Sequence, residues 1–272
     1  RIIPTTTLMA NLINRGVWAV VGGCCGTRNS AYESVDDLYR QALCCLQDDD
    51  QNAAINLFEE CIELDSRHTE ALYHLGQIYE ERQELDKAYK YFRRVVAVDE
   101  NHPGATSSLG ALCFNKQQYG NAEGYLQKAV ELNPKDAEAW MNLGLVRQIL
   151  NIHEAATSAF LESVAVAPPR STTAATALYN LGNLQHEQGN TDGALVSLSK
   201  AIEIDNTQTD ALYNMGVIYQ EKGAFEKALN CYEQAAKADP TFEEAQAAMD
   251  CMKEYMRRRK KKSDVITPAP KN

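Results

Sequence analysis

The chain has 272 residues, 44% of them hydrophobic, and a formal net charge of −10. That length can bury a large core, while the acidic balance disfavours nucleic acid as the main ligand and favours protein partners. No run reaches the roughly 20 apolar residues that a membrane-spanning helix requires.

Residues 1–34 are expected to form a flexible or extended segment. Residues 1–32 carry Arg1, Arg15 and Arg28 and no acid, with several threonines and serines, a composition like the end of an organellar transit segment. A leader of no consequence fits the same residues, as does an anchoring segment. The apolar stretch from Gly16 to Cys25 is too short and Gly-rich to span a bilayer. Eight cysteines (Cys24, Cys25, Cys44, Cys45, Cys61, Cys113, Cys231 and Cys251) include no C-x-x-C pair, and several fall at helix-core positions. They read as reduced thiols used as small apolar residues in an intracellular compartment. Cytoplasm and organelle interior (mitochondrion or plastid) both remain open.

From residue 35 the chain repeats. Gly76, Gly110 and Gly144 stand 34 residues apart, as do Gly182 and Gly216. A fixed step of this length is the mark of a repeat architecture. With the glycine numbered 8, position 4 reads Leu38, Leu72, Thr106, Trp140, Leu178 and Leu212, and position 7 reads Gln41, Leu75, Leu109, Leu143, Leu181 and Met215. Position 11 is Cys45, Tyr79, Cys113, Arg147, Gln185 and Tyr219. Positions 4, 7, 8 and 11 form one face of an α-helix, with a small residue where a neighbour approaches. A second face follows: Ala54, Ala88, Ala122, Ala156, Ala194 and Ala228 at position 20, an aromatic or Leu at 24, and a small residue or Val at 27. Turn residues such as Gly189, Asn190 and Gly223 separate the two faces, and Pro134, Pro168 and Pro240 at position 32 are expected to stop the second helix.

Six units result, at 35–68, 69–102, 103–136, 137–170, 175–208 and 209–242. The phase slips once, by four residues placed at Ser171–Ala174, where Ser171 can cap a lengthened helix. After Pro240 a capping helix is expected over 241–260. Thr241 and Glu244 suggest a capping box, and Phe242, Ala245, Met249, Met252 and Met256 give an apolar stripe. It runs into Arg257, Arg258, Arg259, Lys260, Lys261 and Lys262, a basic cluster that is solubilising, attracted to an acidic or lipid surface, or an import signal. Residues 261–272 are expected to be disordered.

A large residue at 4, Leu-Gly at 7–8, Tyr at 11, Ala at 20, an aromatic at 24, Ala at 27 and Pro at 32 resemble the tetratricopeptide repeat (TPR) family. The resemblance covers residues 35–242, and the first unit (Gln41, Ala42) departs from it most. It implies an all-α, right-handed α-solenoid superhelix of helix-turn-helix repeats closed by the capping helix. It further implies that first helices line a concave groove, with positions 5, 6 and 9 turned towards it. Position 6 carries His74, then Asn142, Asn180 and Asn214, a column resembling the asparagine ladder of O-linked N-acetylglucosamine transferases. An amide can both donate to and accept from a peptide backbone. Tyr73, Tyr179 and Tyr213 at position 5 and Asn183 at position 9 complete the expected peptide-binding set. The Lys–Asn–Arg carboxylate clamp of chaperone-tail-binding members has no Lys or Arg at positions 2, 5, 6 or 9 of repeats four to six.

No phosphate loop, metal-ligand spacing or nucleophile motif is present, so no catalysis, metal, cofactor or small-molecule substrate is expected. The expected role is a scaffold or adaptor that holds extended protein segments within a multi-protein complex. Two alternatives stay open: a substrate-recruiting arm of a separate enzyme, and a subunit or assembly factor of an organellar membrane complex. Membrane contact would come only through the N-terminal segment or the basic tail.

Overall fold

A computed structural model describes residues 34–266, with side chains up to Arg259. The expected N-terminal segment, with Cys24 and Cys25, and the last six residues lie outside the described part. The described residues form thirteen α-helices and no strand, in two compact units that meet between Pro134 and Lys135.

The first unit holds three helical hairpins: α1 Val35–Gln47 with α2 Gln51–Leu64, α3 Thr69–Glu81 with α4 Leu85–Val98, and α5 Pro103–Asn115 with α6 Tyr119–Leu132. The second holds α7 Ala137–Ile149 with α8 His153–Val166, α9 Thr172–Glu187 with α10 Thr191–Ile204, and α11 Thr209–Glu221 with α12 Phe225–Ala238. α13, Glu243–Ile266, packs on α12 through Ala245, Met249, Met252 and Met256.

Each hairpin closes as the periodicity requires. A Cβ added to Gly76, Gly144 or Gly216 would lie 2.5 Å from the ring of Phe92, Phe160 or Tyr232, the residue at position 24 of the same repeat. The bare glycine is therefore what lets the two helices approach. Position 27 is equally close-packed. Where it is not Ala or Val it is Cys61 or Ser163, whose Sγ and Oγ donate to the carbonyls of Val35 and Ala137 that open the same repeats.

The turn between paired helices uses a left-handed residue at position 15 in every repeat: Asp49, Gln83, Gln117, Asn151, Gly189 and Gly223. Glycine stands at two of the six, and there it has open space around its missing Cβ. Gly189→Ala should therefore lower the stability of the second unit by about 1 kcal/mol through backbone strain alone. Urea unfolding checks this, and no loss would show the turn relaxing away from positive φ.

Proline is not what stops the second helices. They end at the same phase with it (Leu132, Val166, Ala238) and without it (Leu64, Val98, Ile204). The recurrent element is an aspartate at position 31, in extended backbone. The carboxylates of Asp65, Asp99, Asp205 and Asp239 accept the amide two residues on, an Asx-type turn. Asp239 also takes the Thr241 hydroxyl at 2.6 Å. Thr241 thus serves the turn, α13 opens at Glu243, and the expected capping box does not form.

The inserted residues do what the sequence suggested. Ser171 Oγ accepts from Ala174 N at 3.1 Å, and α9 runs 16 residues against 13 for the other first helices. α13 continues through the basic cluster to Ile266, six residues beyond the expected end of the capping helix. Residues 261–266, expected to be disordered, are helical.

Candidate functional site

In the second unit, Asn214 is the centre of a side-chain network. Its Nδ2 donates to Asn183 Oδ1 at 2.8 Å and to Tyr179 Oη at 3.4 Å. Three of the expected residues, from two successive first helices, are thereby brought together, all half-buried. Asn180 is half-buried beside them in α9, and its side chain makes no hydrogen bond among the described residues. Asn142 differs: it is 1% exposed, and its Oδ1 is buried without a hydrogen-bond partner. The three asparagines share a phase in sequence but not an environment.

The position-5 tyrosines differ in their ring contacts with position 34. Where that residue is aromatic, the position-5 ring packs against it: Tyr39 on His68 at 5.0 Å, Tyr73 on His102 at 4.6 Å, Tyr213 on Phe242 at 5.4 Å between centroids. Tyr73 also lies on Phe92, and Tyr213 on Tyr232. In repeat five position 34 is Gln208, and the Tyr179 hydroxyl meets Asn214 of the next first helix. His68 and His102 have a second task, since their Nδ1 atoms accept from Ala71 N and Ala105 N and so cap α3 and α5.

The first unit repeats the motif with histidine. Tyr39 Oη lies 3.1 Å from His74 Nε2, and His74 Nδ1 lies 3.2 Å from Gln77 Oε1. With Gln77 presenting its carbonyl oxygen, Nδ1 carries the proton and Nε2 accepts from the tyrosine. The His74 ring stacks on Phe58 at 5.4 Å, and burial pushes its pKa down to about 4. It is a neutral hydrogen-bonding group at neutral pH. Tyr39 and Gln77 were not in the expected set; the separation of 35 residues that Tyr39–His74 shares with Tyr179–Asn214 is the signal that finds Tyr39, and position 9, which Gln77 shares with Asn183, finds Gln77.

No group of His, Cys, Asp or Glu among the described residues could hold a metal ion, and no described helix is long and apolar enough to cross a membrane. The six described cysteines are free. Burial pushes Cys61 up to about 11 and raises Cys113 and Cys231, so these thiols stay protonated and unreactive. Of the basic cluster, Arg258 pairs with Glu254 at 2.8 Å and Arg259 lies over the Phe225 ring at 5.2 Å. Arg257 is exposed, and the side chains of Lys260, Lys261 and Lys262 lie outside the described set.

Family models described as tetratricopeptide repeats match residues 46–113, 114–172 and 209–242, and one described as a TPR repeat matches 182–223. The chain belongs to the tetratricopeptide repeat family. No curated protein is similar enough in sequence to count as a relative. Among solved structures, this TPR chain is similar to YrrB, a TPR protein with an unusual peptide-binding site, at 23% identity and TM-score 0.60, over 71% of this chain and 97% of that one. PilW, a type IV pilus biogenesis factor, is similar at 20% identity and TM-score 0.65, over 80% and 100%. MamA of Desulfovibrio magneticus RS-1 is similar at 23% identity and TM-score 0.57, over 65% and 99%. At these identities the likeness is one of fold. The TPR matches begin at residue 46, leaving all but the last two residues of α1 outside them, in keeping with Gln41 and Ala42 where later repeats have Leu-Gly or Met-Gly.

Proposed function

We propose that this TPR chain is a non-catalytic scaffold that holds an extended segment of a partner protein against the first helices of its second unit. The observation that carries this reading is the linked set Tyr179, Asn183 and Asn214, with Asn180 beside it. These are uncharged groups of both donor and acceptor kind, held in fixed orientation by their mutual bonds. A peptide backbone offers one donor and one acceptor per residue and can be met by such groups whatever its sequence. Packed helices stand about 10 Å apart and an extended chain advances about 3.3 Å per residue, so successive rungs meet about every third residue. YrrB, with its peptide-binding site, lends the reading support by likeness of fold. Asn142, buried with an unpartnered Oδ1, is not among the rungs open to a partner.

The test is capture. Proteins retained by the full chain from its native tissue, identified and quantified by mass, should fall roughly tenfold for Asn180→Ala/Asn214→Ala, since each lost hydrogen bond is worth about 0.5–1.5 kcal/mol. The melting curve should move little. Unaltered capture by the folded double variant would reject the asparagine rungs.

A further inference from the structure

The second helix of repeat two stands apart in charge. On α4, positions 22, 25 and 26 are Lys90, Arg93 and Arg94. The same positions read Asn56, Glu59, Glu60 in repeat one and Gly124, Gln127, Lys128 in repeat three. In repeats four to six they read Ser158, Leu161, Glu162, then Val196, Ser199, Lys200, then Asn230, Glu233, Gln234. No other repeat gathers even two cations there, in a chain whose net charge is −10.

These three cations are also unspent. The first-turn Asp86 of α4 is taken by Lys116 at 2.7 Å, and its Lys87 by Glu84 at 2.6 Å. Lys90, Arg93 and Arg94 make no ion pair among the described residues. They are nonetheless held: the Arg93 guanidinium lies over the Tyr89 ring at 6.0 Å and that of Arg94 over Tyr91 at 5.8 Å. Stacking on a ring restrains the guanidinium plane while leaving its edge donors free for a bidentate acceptor. Lys90 and Arg93 are exposed, and Arg94 is half-buried. The buried face of α4 is a different one, made by Ala88, Phe92 and Val95.

We propose that this face of α4 is a second docking surface, for an extended acidic segment of a partner protein. Charge complementarity selects the occupant. Lys90 and Arg94 are four residues apart on a helix, about 6 Å along its axis. Carboxylates at alternate residues of an extended chain are about 6.6 Å apart on one side, which matches that spacing. A short Asp/Glu stretch therefore meets the lysine and the Arg94 fork together, with Arg93 beside them. A long nucleic acid would gain the same three contacts but bring its remaining phosphates against an acidic body.

The full chain is titrated against two labelled peptides, one alternating Glu with Ser and one alternating Gln with Ser, and against a single-stranded oligonucleotide, by fluorescence anisotropy. The Glu peptide is expected to bind, to weaken as salt rises, and to lose about tenfold in affinity in Lys90→Gln/Arg93→Gln/Arg94→Gln. The substituted groups lie on the solvent face, so the triple variant should melt as the wild type does, and Lys200→Gln/Lys227→Gln/Lys237→Gln serves as a charge-matched control elsewhere. Asn180→Ala/Asn214→Ala should bind the Glu peptide as the wild type does, which separates this surface from the proposed asparagine rungs. Equal binding of the Gln peptide, no binding of the Glu peptide, an unaffected triple variant, or loss in the asparagine variant would each overturn the proposal. Tighter binding of the oligonucleotide through the same three residues would overturn it in favour of nucleic acid.

Discussion

Phe160→Ala should lower the unfolding free energy of the second unit by about 3–5 kcal/mol. The Phe160 ring is fully buried and lies over Gly144 of its own hairpin, and it clusters with Ala156, Leu181 and Leu184. Leu181 and Leu184 belong to the next hairpin, so one ring joins two repeats. Single domains hold about 5–15 kcal/mol in total, which makes this loss a large share of it. A second substitution tests the geometry. In the native background Gly144→Ala places a Cβ 2.5 Å from the ring. Overpacking of about 1–3 kcal/mol is then opposed by a helix-propensity gain of about 1 kcal/mol. In the Phe160→Ala background the same Cβ enters vacated space, and the substitution should become stabilising by about 1 kcal/mol. Urea unfolding followed by Trp140 fluorescence, with Trp18 replaced by Phe, reads the cycle. An additive double variant would mean that the glycine and the ring do not share one packing site.

Acid should weaken the first unit through His74. Its folded-state pKa is about 4, depressed by burial from the ordinary 6.5. Above pH 6.5 both folded and unfolded chains carry the neutral ring, and the full stability is present. As pH falls from 6.5 towards 4 the unfolded chain takes up a proton that the folded one refuses, so stability declines. Below about 4 both forms are charged and the decline ends. The span corresponds to about 3 kcal/mol. Protonation would also turn Nε2 from an acceptor of the Tyr39 hydroxyl into a donor. His74→Asn should flatten the profile between pH 6.5 and 4, measured as thermal or urea unfolding at each pH. The Glu81 carboxyl, raised by burial, acts in the opposite sense, so the comparison is between wild type and variant. Equal slopes in the two proteins would remove His74 as the source.

The helix pairing was legible because it rests on volume. Gly at 8, Ala at 20 and a large residue at 24 must coincide for two helices to cross closely, and they recur where the crossing occurs. The position-15 turns were legible only at Gly189 and Gly223. Gln83 and Gln117 adopt the same left-handed backbone because the two packed helices impose it, while Asp49 and Asn151 are of the types that tolerate it. The stops were misread as proline for a related reason: the proline is absent from three repeats, whereas the aspartate before it bonds forward in each of those three. The binding face was legible as a column but not as an environment. Asn142, Asn180 and Asn214 occupy one phase, yet exposure depends on what packs over each. Tyr179 and Tyr213 likewise share a position, yet Tyr179 bonds an asparagine of the next first helix while Tyr213, in the last repeat, packs its ring on Phe242 and Tyr232.

The extra turn capped by Ser171 has an outcome for how this array can vary. Gains or losses of whole modules elsewhere come in steps of 34 residues and keep every neighbour in register, but the step from Gly144 to Gly182 is 38. A deletion of 34 residues counted back from Glu187 would therefore take the insertion and its Ser171 cap away with part of the module and leave the next neighbour four residues out of phase. That junction sets the one place where the spacing of the array is not a multiple of its module.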